Sequence, residues 1–390
     1  MNLKLAYLSQ GKLFFKHGDL AARQIDSQFG QEIISRTIQR HQRDEWKFGE
    51  RESPFSGSML WGAKQATPDE MRVNVTSATS SDQGGELVYF LETGYVGGLF
   101  SYNWTNDEEK RIFHKEAFHI RDIDRHPELD LIACAQLFPG GMGKIGIIKG
   151  LGLHQITEGD SVDLAPSWIP GKGQEIVFQS AGIARNPKGR AVGLGPFTIQ
   201  RLNPEKGSLT PLLDDPEIDF LLPHLDADGT LYFIRRPYEM PGRSKPSLWR
   251  LATDVLLFPF RLLRALFHYM NFVSLAFSRK PLATAAGPKT DGPDEHTLML
   301  WGRMIDAQKA LRENAQAKET PALVPSSWEL VKRQPSGEET ILAKSVVAYD
   351  IDPANNVVYT NGSAIYRVDS QGNSQLVAKG NLIQSVVIIR

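Results

Sequence analysis

The sequence has 390 residues, with 44 lysines and arginines against 45 aspartates and glutamates, and a formal net charge of −1 at pH 7. Because the chain as a whole carries no excess of basic residues, its composition argues against a nucleic-acid partner. The hydrophobic fraction of 41% suffices for a packed core, and the single cysteine, Cys134, excludes an internal disulfide and a cysteine-based zinc site.

The N-terminal residues hold only a brief apolar run, which is interrupted by Gln10-Gly11-Lys12. A signal peptide has a longer apolar core, followed by a cleavage site built from small residues. Since both are missing from this run, we expect a cytoplasmic protein.

The first and last segments of the chain read as parts of the same repeat. Residues 6–14 form an apolar strand, a polar turn with glycine and a second strand, and residues 358–366 repeat this order. A strand over 346–351 precedes the C-terminal copy, whereas nothing equivalent precedes the N-terminal copy. The apolar strand 383–389 is left over at the end of the chain. If this strand supplies the missing one, both termini share one repeat and the chain closes into a ring.

Residues 29–62 do not fit the repeat. Within them, Glu32 to Trp46 predicts a helix, in which Ile33, Ile34 and Ile38 alternate with many charged residues.

Further copies of the repeat follow along the chain, each an apolar strand, a turn rich in Asp, Pro or Gly, and more short strands. The spacing of roughly 45–55 residues is typical of β-propeller blades. Counting the shared first and last repeat as one, the sequence predicts an all-β, six-bladed β-propeller closed by the N- and C-terminal strands. The copies begin near Arg72, His119, Asp163, Phe220 and Ala348.

One copy is specific enough to compare with a known family. Pro166-Ser167-Trp168, a glycine-rich turn and Ile176-Val177-Phe178 resemble the WD40-like repeat of TolB-type β-propellers, which have a Pro-x-aromatic strand, a Ser-Pro-Asp-Gly turn and an aliphatic–Phe strand. The match is best over residues 163–236. The turns depart from the pattern, since residues 169–173 lack the Asp and residues 225–229 lack the Pro. The resemblance implies the fold and says little about the role.

The fifth repeat is interrupted after its second strand. Residues 237–326 do not follow the blade pattern, which resumes at Ser327. The predicted domains are therefore a propeller over 1–236 and 327–390 and a helical insertion over 237–326. Insertions on a rigid scaffold often carry function.

Inside this insertion, Ser247 to Ser278 is strongly apolar, and on a helix its polar residues fall on one narrow side. Pro259 should break the helix into two arms of a hairpin. Residues 243–280 contain seven lysines and arginines and one acid, a local net charge of +6. A wide apolar face with aromatic residues and a basic stripe is typical of a helix in a membrane interface. The predicted membrane- or partner-binding residues are Trp249, Arg250, Phe258, Phe260, Arg261, Leu263, Arg264, Leu266, Phe267, Tyr269 and Phe272.

The sequence leaves three placements open for residues 247–278. They could lie on a membrane surface, bind a protein partner or a second copy of the chain, or pack against the propeller. A membrane span is disfavoured, because an arginine at the bilayer centre costs about 3 kcal/mol or more. A second helix is predicted from Leu298 to Ala317, where basic and acidic residues alternate.

Catalytic motifs are missing from the sequence. It has no Gly-x-Ser-x-Gly elbow, no phosphate loop and no His-x-x-x-His zinc spacing, so no catalytic residue, metal ligand or cofactor is predicted. Some propellers gather acids and histidines at the axial mouth to hold a metal, although turn chemistry also explains such residues. The candidates for such a site are His119, Asp122, Asp124, His126, Asp163, Asp219 and His224.

The leading functional hypothesis is a non-enzymatic scaffold. The ring would bind a protein partner through its loops, and the insertion would tether it to a membrane surface or a second subunit. One alternative is a hydrolase or lactonase-like propeller with an axial metal site. Another is a subunit of a larger complex, with the hairpin buried in its neighbour.

Overall fold

The computed structural model divides the chain into two units, Met1–Tyr238 with Leu298–Arg390, and Glu239–Thr297. The second unit lies outside the described residues apart from Glu239 and Thr297, so the predicted insertion over 237–326 stays a prediction. The structure describes residues 3–36, 39, 73–80, 85–93, 96–138, 141–189, 191–239, 297–300, 303–306, 320–369 and 372–389.

The described residues form 27 strands and one helix, α1, over residues 28–36, so the predicted all-β class is confirmed. The strands are β1 (Lys4–Ser9), β2 (Lys12–His17), β3 (Arg23–Ile25), β4 (Asn74–Ser80), β5 (Glu86–Glu92), β6 (Val96–Asn103), β7 (Glu108–Glu116), β8 (Ile120–Arg125), β9 (Ile132–Leu137), β10 (Gly143–Lys149), β11 (Gly152–Gln155), β12 (Ser161–Trp168), β13 (Ile176–Arg185), β14 (Ala191–Leu194), β15 (Thr198–Asn203), β16 (Ser208–Leu213), β17 (Ile218–Leu225), β18 (Leu231–Pro237), β19 (Thr297–Leu300), β20 (Arg303–Asp306), β21 (Glu329–Arg333), β22 (Glu339–Lys344), β23 (Ala348–Ile351), β24 (Val357–Thr360), β25 (Ala364–Val368), β26 (Ser374–Lys379) and β27 (Ile383–Ile388).

Most sheets are four-stranded and antiparallel. Three have the orders β4-β5-β6-β7, β17-β18-β21-β22 and β23-β24-β25-β26. Strands β8 to β16 form a nine-stranded sheet, in which β10 and β12 are joined only by the pair Gly143 and Val162. The fourth four-stranded sheet has the order β27-β1-β2-β3, so the last strand of the chain pairs with the first.

The hydrophobic core lies between the faces of neighbouring sheets. Leu8 and Leu13 of the β27-β1-β2-β3 sheet cluster with Leu87, Tyr89 and Phe100 of the β4–β7 sheet, and all five are buried. A middle strand such as β5 is apolar over its whole buried length, because both of its faces are covered. The outer strand β7 is charged and mostly exposed, which protects the sheet edge from pairing with other chains.

Helix α1 begins four residues before the predicted start at Glu32. Ser27 caps it, since the Gly30 backbone N–H donates to Ser27 Oγ over 3.1 Å. The carboxylate of Glu109, on β7, also accepts the Gln28 N–H over 2.8 Å, so an acid from another sheet fixes where the helix starts. The predicted part beyond residue 36, except residue 39, lies outside the described residues.

The predicted helix from Leu298 to Ala317 is wrong at its start. Strands β19 and β20 pair there as a two-stranded sheet, and residues 307–317 lie outside the described residues. Gly302 falls between the two strands in sequence. Because glycine is unfavourable inside a helix and suits a tight turn, the charge alternation was the weaker signal.

Before β21 the chain is held against the turn between β24 and β25. The Leu323 N–H donates to the Asn361 carbonyl over 2.9 Å, and Asn361 Nδ2 donates to the Thr320 carbonyl over 3.2 Å. Gly362 has φ +92°, and a Cβ at this position would overlap the buried Leu323 side chain. This close approach requires glycine for its conformation and for its lack of a side chain.

We expect Gly362→Ala to destabilise the protein far more than Gly171→Ala. Gly171 also has a positive φ, +69°, but no atom lies within 4 Å of the Cβ that alanine would add. The Gly171 variant should lose about 1–2 kcal/mol from the left-handed backbone alone. The Gly362 variant should lose about 1–3 kcal/mol more from overpacking. Urea unfolding of both variants measures the difference, and equal midpoints would show that Leu323 does not pack against Gly362.

Candidate functional site

A cavity of about 200 Å³ lies where six strands of the first unit converge. Its walls come from β4, β8, β12, β17, β23 and β27, one strand after another along the chain. We call these the innermost strands. Their lining side chains include hydroxyls, carboxylates, an arginine and a histidine, next to several prolines and one tryptophan. A concave site with few polar groups on apolar walls is the usual form of a ligand pocket.

Hydrogen bonds between neighbouring innermost strands show that β4, β8 and β12 run in the same direction. The Ile123 N–H donates to Ser77 Oγ over 3.0 Å, and the Arg125 N–H donates to Thr79 Oγ1 over 3.2 Å. From the first bond to the second, the donor on β8 and the acceptor on β4 both move two residues towards the C-terminus, so the two strands are parallel. We call the end at which innermost strands begin the leading face, and the end at which they finish the trailing face.

The innermost strands β12 and β17 each have a bulge with a residue in the left-handed conformation, and a side chain from an earlier strand of the chain binds each bulge. Ala165 in β12 and Leu222 in β17 have φ of 50° and 52°, and the strand register shifts at both points. A bulge removes a backbone N–H from the ladder. The Ala165 N–H donates to Asp122 Oδ2 over 3.1 Å, and the Leu222 N–H donates to Gln179 Oε1 over 2.7 Å. The side chains thus satisfy the groups that the bulges release.

Asp124, which is also on β8, makes the same kind of link to β12. The Trp168 N–H donates to Asp124 Oδ2 over 2.8 Å, and the indole Nε1–H donates to the Asp124 carbonyl over 2.9 Å. At the other side of the cavity, the Ile388 N–H donates to Asp350 Oδ2 over 2.6 Å. These carboxylates join successive innermost strands, and charge-assisted hydrogen bonds of this type are among the stronger ones.

Burial changes the acid–base properties of the cavity wall. Loss of solvent raises the pKa of Asp122, and the opposing effects of the Arg121 charge and the Ala165 N–H are smaller. Burial also raises the pKa of Tyr349 well above its ordinary value, and the charge of Asp350 adds to this effect. Tyr349 therefore stays protonated and donates its hydroxyl to the Leu222 carbonyl over 2.5 Å.

Three of the residues predicted for an axial metal site, Asp122, Asp124 and His224, line the cavity, but they are not placed to hold a metal ion. Within the part of the chain that the structure describes, no three His, Cys, Asp or Glu side chains are placed to hold one metal ion. Asp163 accepts a hydrogen bond from Ser180 Oγ over 2.7 Å. Asp219 forms a buried ion pair with Arg236 over 2.8 Å, and it accepts the Phe197 N–H over 2.9 Å.

The predicted histidines also have separate partners. His126 accepts the N–H groups of Glu128 and Leu129 at Nδ1, over 3.1 and 3.0 Å. This assigns its ring proton to Nε2, which lies 2.8 Å from the Gly173 carbonyl. His119 pairs with Glu92 over 2.5 Å. Contacts within turns and between neighbouring strands thus account for the hydrogen bonds of these two histidines.

The structure brings together one set that the sequence reasoning missed. Ser167 Oγ lies 3.2 Å from His224 Nδ1, and His224 Nε2 lies 3.3 Å from Asp226 Oδ1. His224 was a predicted candidate, while Ser167 and Asp226 were not. The repeat alignment held the signal, since Pro166-Ser167 and Pro223-His224 occupy the same position in successive repeats.

The predicted membrane- or partner-binding residues, from Trp249 to Phe272, all lie outside the described residues. Their binding role therefore stays a prediction. Among the residues that the structure does describe, no helix is both long enough and apolar enough to cross a membrane.

Strands β3 and β18 end at the same face of the first unit, and the two longest connections between described strands begin after them. Strand β3, the fourth of its sheet, is followed by residues 26–73 and then by the innermost strand β4. Strand β18, the second of its sheet, is followed by 238–328 and then by the third, β21. Neighbouring strands of an antiparallel sheet run in opposite directions, so the second and the fourth strand both end at the face where the innermost strand begins. Strands β18 and β3 therefore both end at the leading face.

No family model matches the sequence, and no curated protein is similar to it. Among solved structures, TolB from Acinetobacter baumannii has a TM-score of 0.51 at 10% identity, covering 99% of this chain and 66% of the TolB chain. A chain of a nidogen–laminin complex has a TM-score of 0.49 at 9% identity, covering 99% and 98%. A putative TolB from Agrobacterium tumefaciens has a TM-score of 0.43 at 13% identity, covering 83% and 92%.

The match to the Acinetobacter protein shows the fold, and the predicted resemblance to TolB-type β-propellers is confirmed. This chain spans 66% of the length of that TolB. At such low identity the likeness concerns the fold alone.

We expect Asp122→Asn to change stability in a pH-dependent way. The ordinary pKa of this group, 3.8, is raised by burial, so the folded protein binds the proton more tightly than the unfolded chain. The contribution of Asp122 to stability is therefore fully present below its ordinary pKa and is lost as the pH rises through the raised value. Asparagine keeps an acceptor for the Ala165 N–H without a charge. At pH 7 the variant should unfold at equal or higher urea than the native protein, with the advantage vanishing near pH 3.

The matched variant Asp122→Ala removes both the charge and the acceptor. It should lose about 1–3 kcal/mol, because the Ala165 N–H is then left unpaired. If the alanine and asparagine variants unfold at the same urea concentration at pH 7, the hydrogen bond to Ala165 does not hold the bulge.

Proposed function

We propose that the chain is a six-bladed β-propeller scaffold, which binds a protein partner on its trailing face and is tethered to an anionic membrane surface by its insertion. The single observation that carries this proposal is that β3 and β18, which the two longest connections follow, both end at the leading face. The short connections of the trailing face lie at the opposite ends of the same strands.

The strand pairing supports six blades. Dividing the nine-stranded sheet at the Gly143–Val162 contact leaves seven groups of strands among the described residues, and each group except the β19–β20 pair contributes one innermost strand to the cavity. Pairing between β1 and β27 supports closure by the two termini, because it joins the two ends of the chain within one group. A closed ring needs no exposed inner edge, which is how propellers avoid edge-to-edge association.

Two observations support a binding role at the trailing face. Among the described residues, this face carries short connections between innermost and second strands, at 126–131, 169–175, 226–230 and 352–356. Their ends are fixed by the carboxylate links around the cavity, as in the bond from the Trp168 N–H to Asp124. Loops on a rigid scaffold form the usual binding surface of such folds.

The sequence of the insertion supports the tether. Its local net charge of +6 and wide apolar face match an interfacial helix that binds anionic lipid. The proposed location is the cytoplasm, at the periphery of a membrane.

We expect the full chain to sediment with anionic vesicles and a variant with 243–281 replaced by a Gly/Ser linker to stay in solution. The basic stripe should contribute about 1 kcal/mol per arginine near the surface, and salt should weaken binding. The combined variant Arg250→Gln, Arg261→Gln and Arg264→Gln keeps the apolar face and four of the seven basic residues. It should bind on the order of 100-fold less tightly, and its binding should depend less steeply on salt.

Neutral vesicles serve as the lipid control, and sedimentation equilibrium of the same proteins reports their mass. If neither protein sediments with vesicles, and the full chain is an oligomer while the deletion is a monomer, the insertion is a protein interface. The membrane tether is then wrong.

A further inference from the structure

We propose that Ser167 is a nucleophile, which His224 and Asp226 activate for the hydrolysis of small carboxylic esters in the central cavity. Ser167 and His224 both line the cavity, with Ser167 Oγ 3.2 Å from His224 Nδ1. On the other side of the imidazole ring, His224 Nε2 lies 3.3 Å from Asp226 Oδ1. A nucleophile, a base and an acid that orients the base are the parts that acyl transfer needs. This activity goes beyond the proposed scaffold role and does not depend on it.

The bulges bring these side chains to one point. The register of β12 shifts between Leu164 and Ser167, and the register of β17 shifts between Leu221 and His224. A bulge re-aims the side chain that follows it. Since β12 and β17 are successive innermost strands, their re-aimed side chains meet, although Ser167 and His224 are 57 residues apart.

The imidazole is held on three sides. Besides Ser167 and Asp226, the Tyr232 ring lies edge-on to the His224 ring, with 6.5 Å between centroids. The side chains of His224 and Asp226 are 20% and 19% exposed, so they are reachable from solvent yet shielded. A base fixed by packing and by a carboxylate is pre-organised for proton transfer.

The reaction uses the two nitrogens in the reverse of the familiar serine-protease order, because Nδ1 faces the serine and Nε2 faces the acid. Either nitrogen can accept the proton, since the other then carries the N–H that the carboxylate accepts. Ser167 Oγ attacks the ester carbonyl carbon while its proton passes to His224 Nδ1. The carbon–oxygen bond to the alcohol breaks, and the departing alcohol takes that proton.

Water completes the cycle. It attacks the acyl carbon on Ser167 and gives its proton to His224 Nδ1, after which the bond to Oγ breaks. Ser167 then recovers a proton, and the carboxylic acid leaves. Arg125 lines the same cavity and pairs with Glu86 over 3.5 Å. In this proposal its positive charge would stabilise the oxyanion that forms in both halves of the reaction.

The cavity sets the substrate class. A volume of about 200 Å³ admits a short acyl chain and not a folded protein segment. Pro166, Pro170 and Trp168 give the wall an apolar portion for that chain.

The test uses the full chain with a fluorophosphonate probe and with p-nitrophenyl acetate as substrate. We expect the probe to label Ser167, as identified by peptide mass mapping. Ser167→Ala should abolish labelling and lower hydrolysis about 100-fold or more. His224→Gln should do nearly the same, and Asp226→Asn should slow hydrolysis at least about tenfold. The matched control is Ser385→Ala, because Ser385 lines the same cavity but its hydroxyl has no hydrogen-bond partner among the described residues.

A second pair of variants reports on Ser167 without depending on turnover. Cys134 is buried, so a cysteine introduced at the cavity is the accessible thiol of the described chain. Ser167→Cys should react with iodoacetamide several-fold faster than the double variant Ser167→Cys with His224→Gln, because the imidazole favours the thiolate. Equal rates for these two proteins, labelling at another serine, or unchanged hydrolysis by Ser167→Ala would overturn the proposal. Vesicle sedimentation of Ser167→Ala keeps this outcome separate from that of the scaffold role.

Discussion

The hydrogen bonds between successive innermost strands are the constraint on which this structure depends. Innermost strands do not pair with one another in a backbone ladder, so side chains must join them. Asp122 and Asp124 on β8 accept the N–H groups of Ala165 and Trp168 on β12, and Asp350 on β23 accepts that of Ile388 on β27. Each bond satisfies a backbone group that would otherwise be buried without a partner.

These bonds also determine what the cavity is able to do. A carboxylate that accepts backbone N–H groups is fixed in place, and it cannot reorganise around a ligand without releasing a buried donor. Asp122 shows the cost of this arrangement, because burial raises its pKa. Because the acids around the cavity hold backbone N–H groups, they are not free to act as ligands. His126 is held in the same way, because its ring binds two backbone N–H groups and the Gly173 carbonyl.

The sequence reveals those features that depend on local pattern. The repeat of strand, turn and strand predicts an all-β propeller, and the similarity between residues 6–14 and 358–366 points to the pairing of β1 with β27. Alternating charges from Leu298 to Ala317 predict a helix that is wrong at its start, where β19 and β20 pair, because this charge pattern alone does not distinguish a helix from strands. The start of α1 was equally hidden, because part of its cap is Glu109, on a distant strand.

The candidate site was harder to predict, because its geometry comes from bulges and not from motifs. A histidine or aspartate in a turn has the same letter whether it caps a backbone N–H or faces a cavity. Only the contacts separate Asp124, which binds the Trp168 N–H, from Asp226, which faces an imidazole. The one readable signal is positional: Ser167 and His224 each follow a proline in successive innermost strands, and these equivalent positions lie side by side. In a repeat fold, chemistry is therefore better sought between equivalent positions of adjacent repeats than within one stretch of sequence.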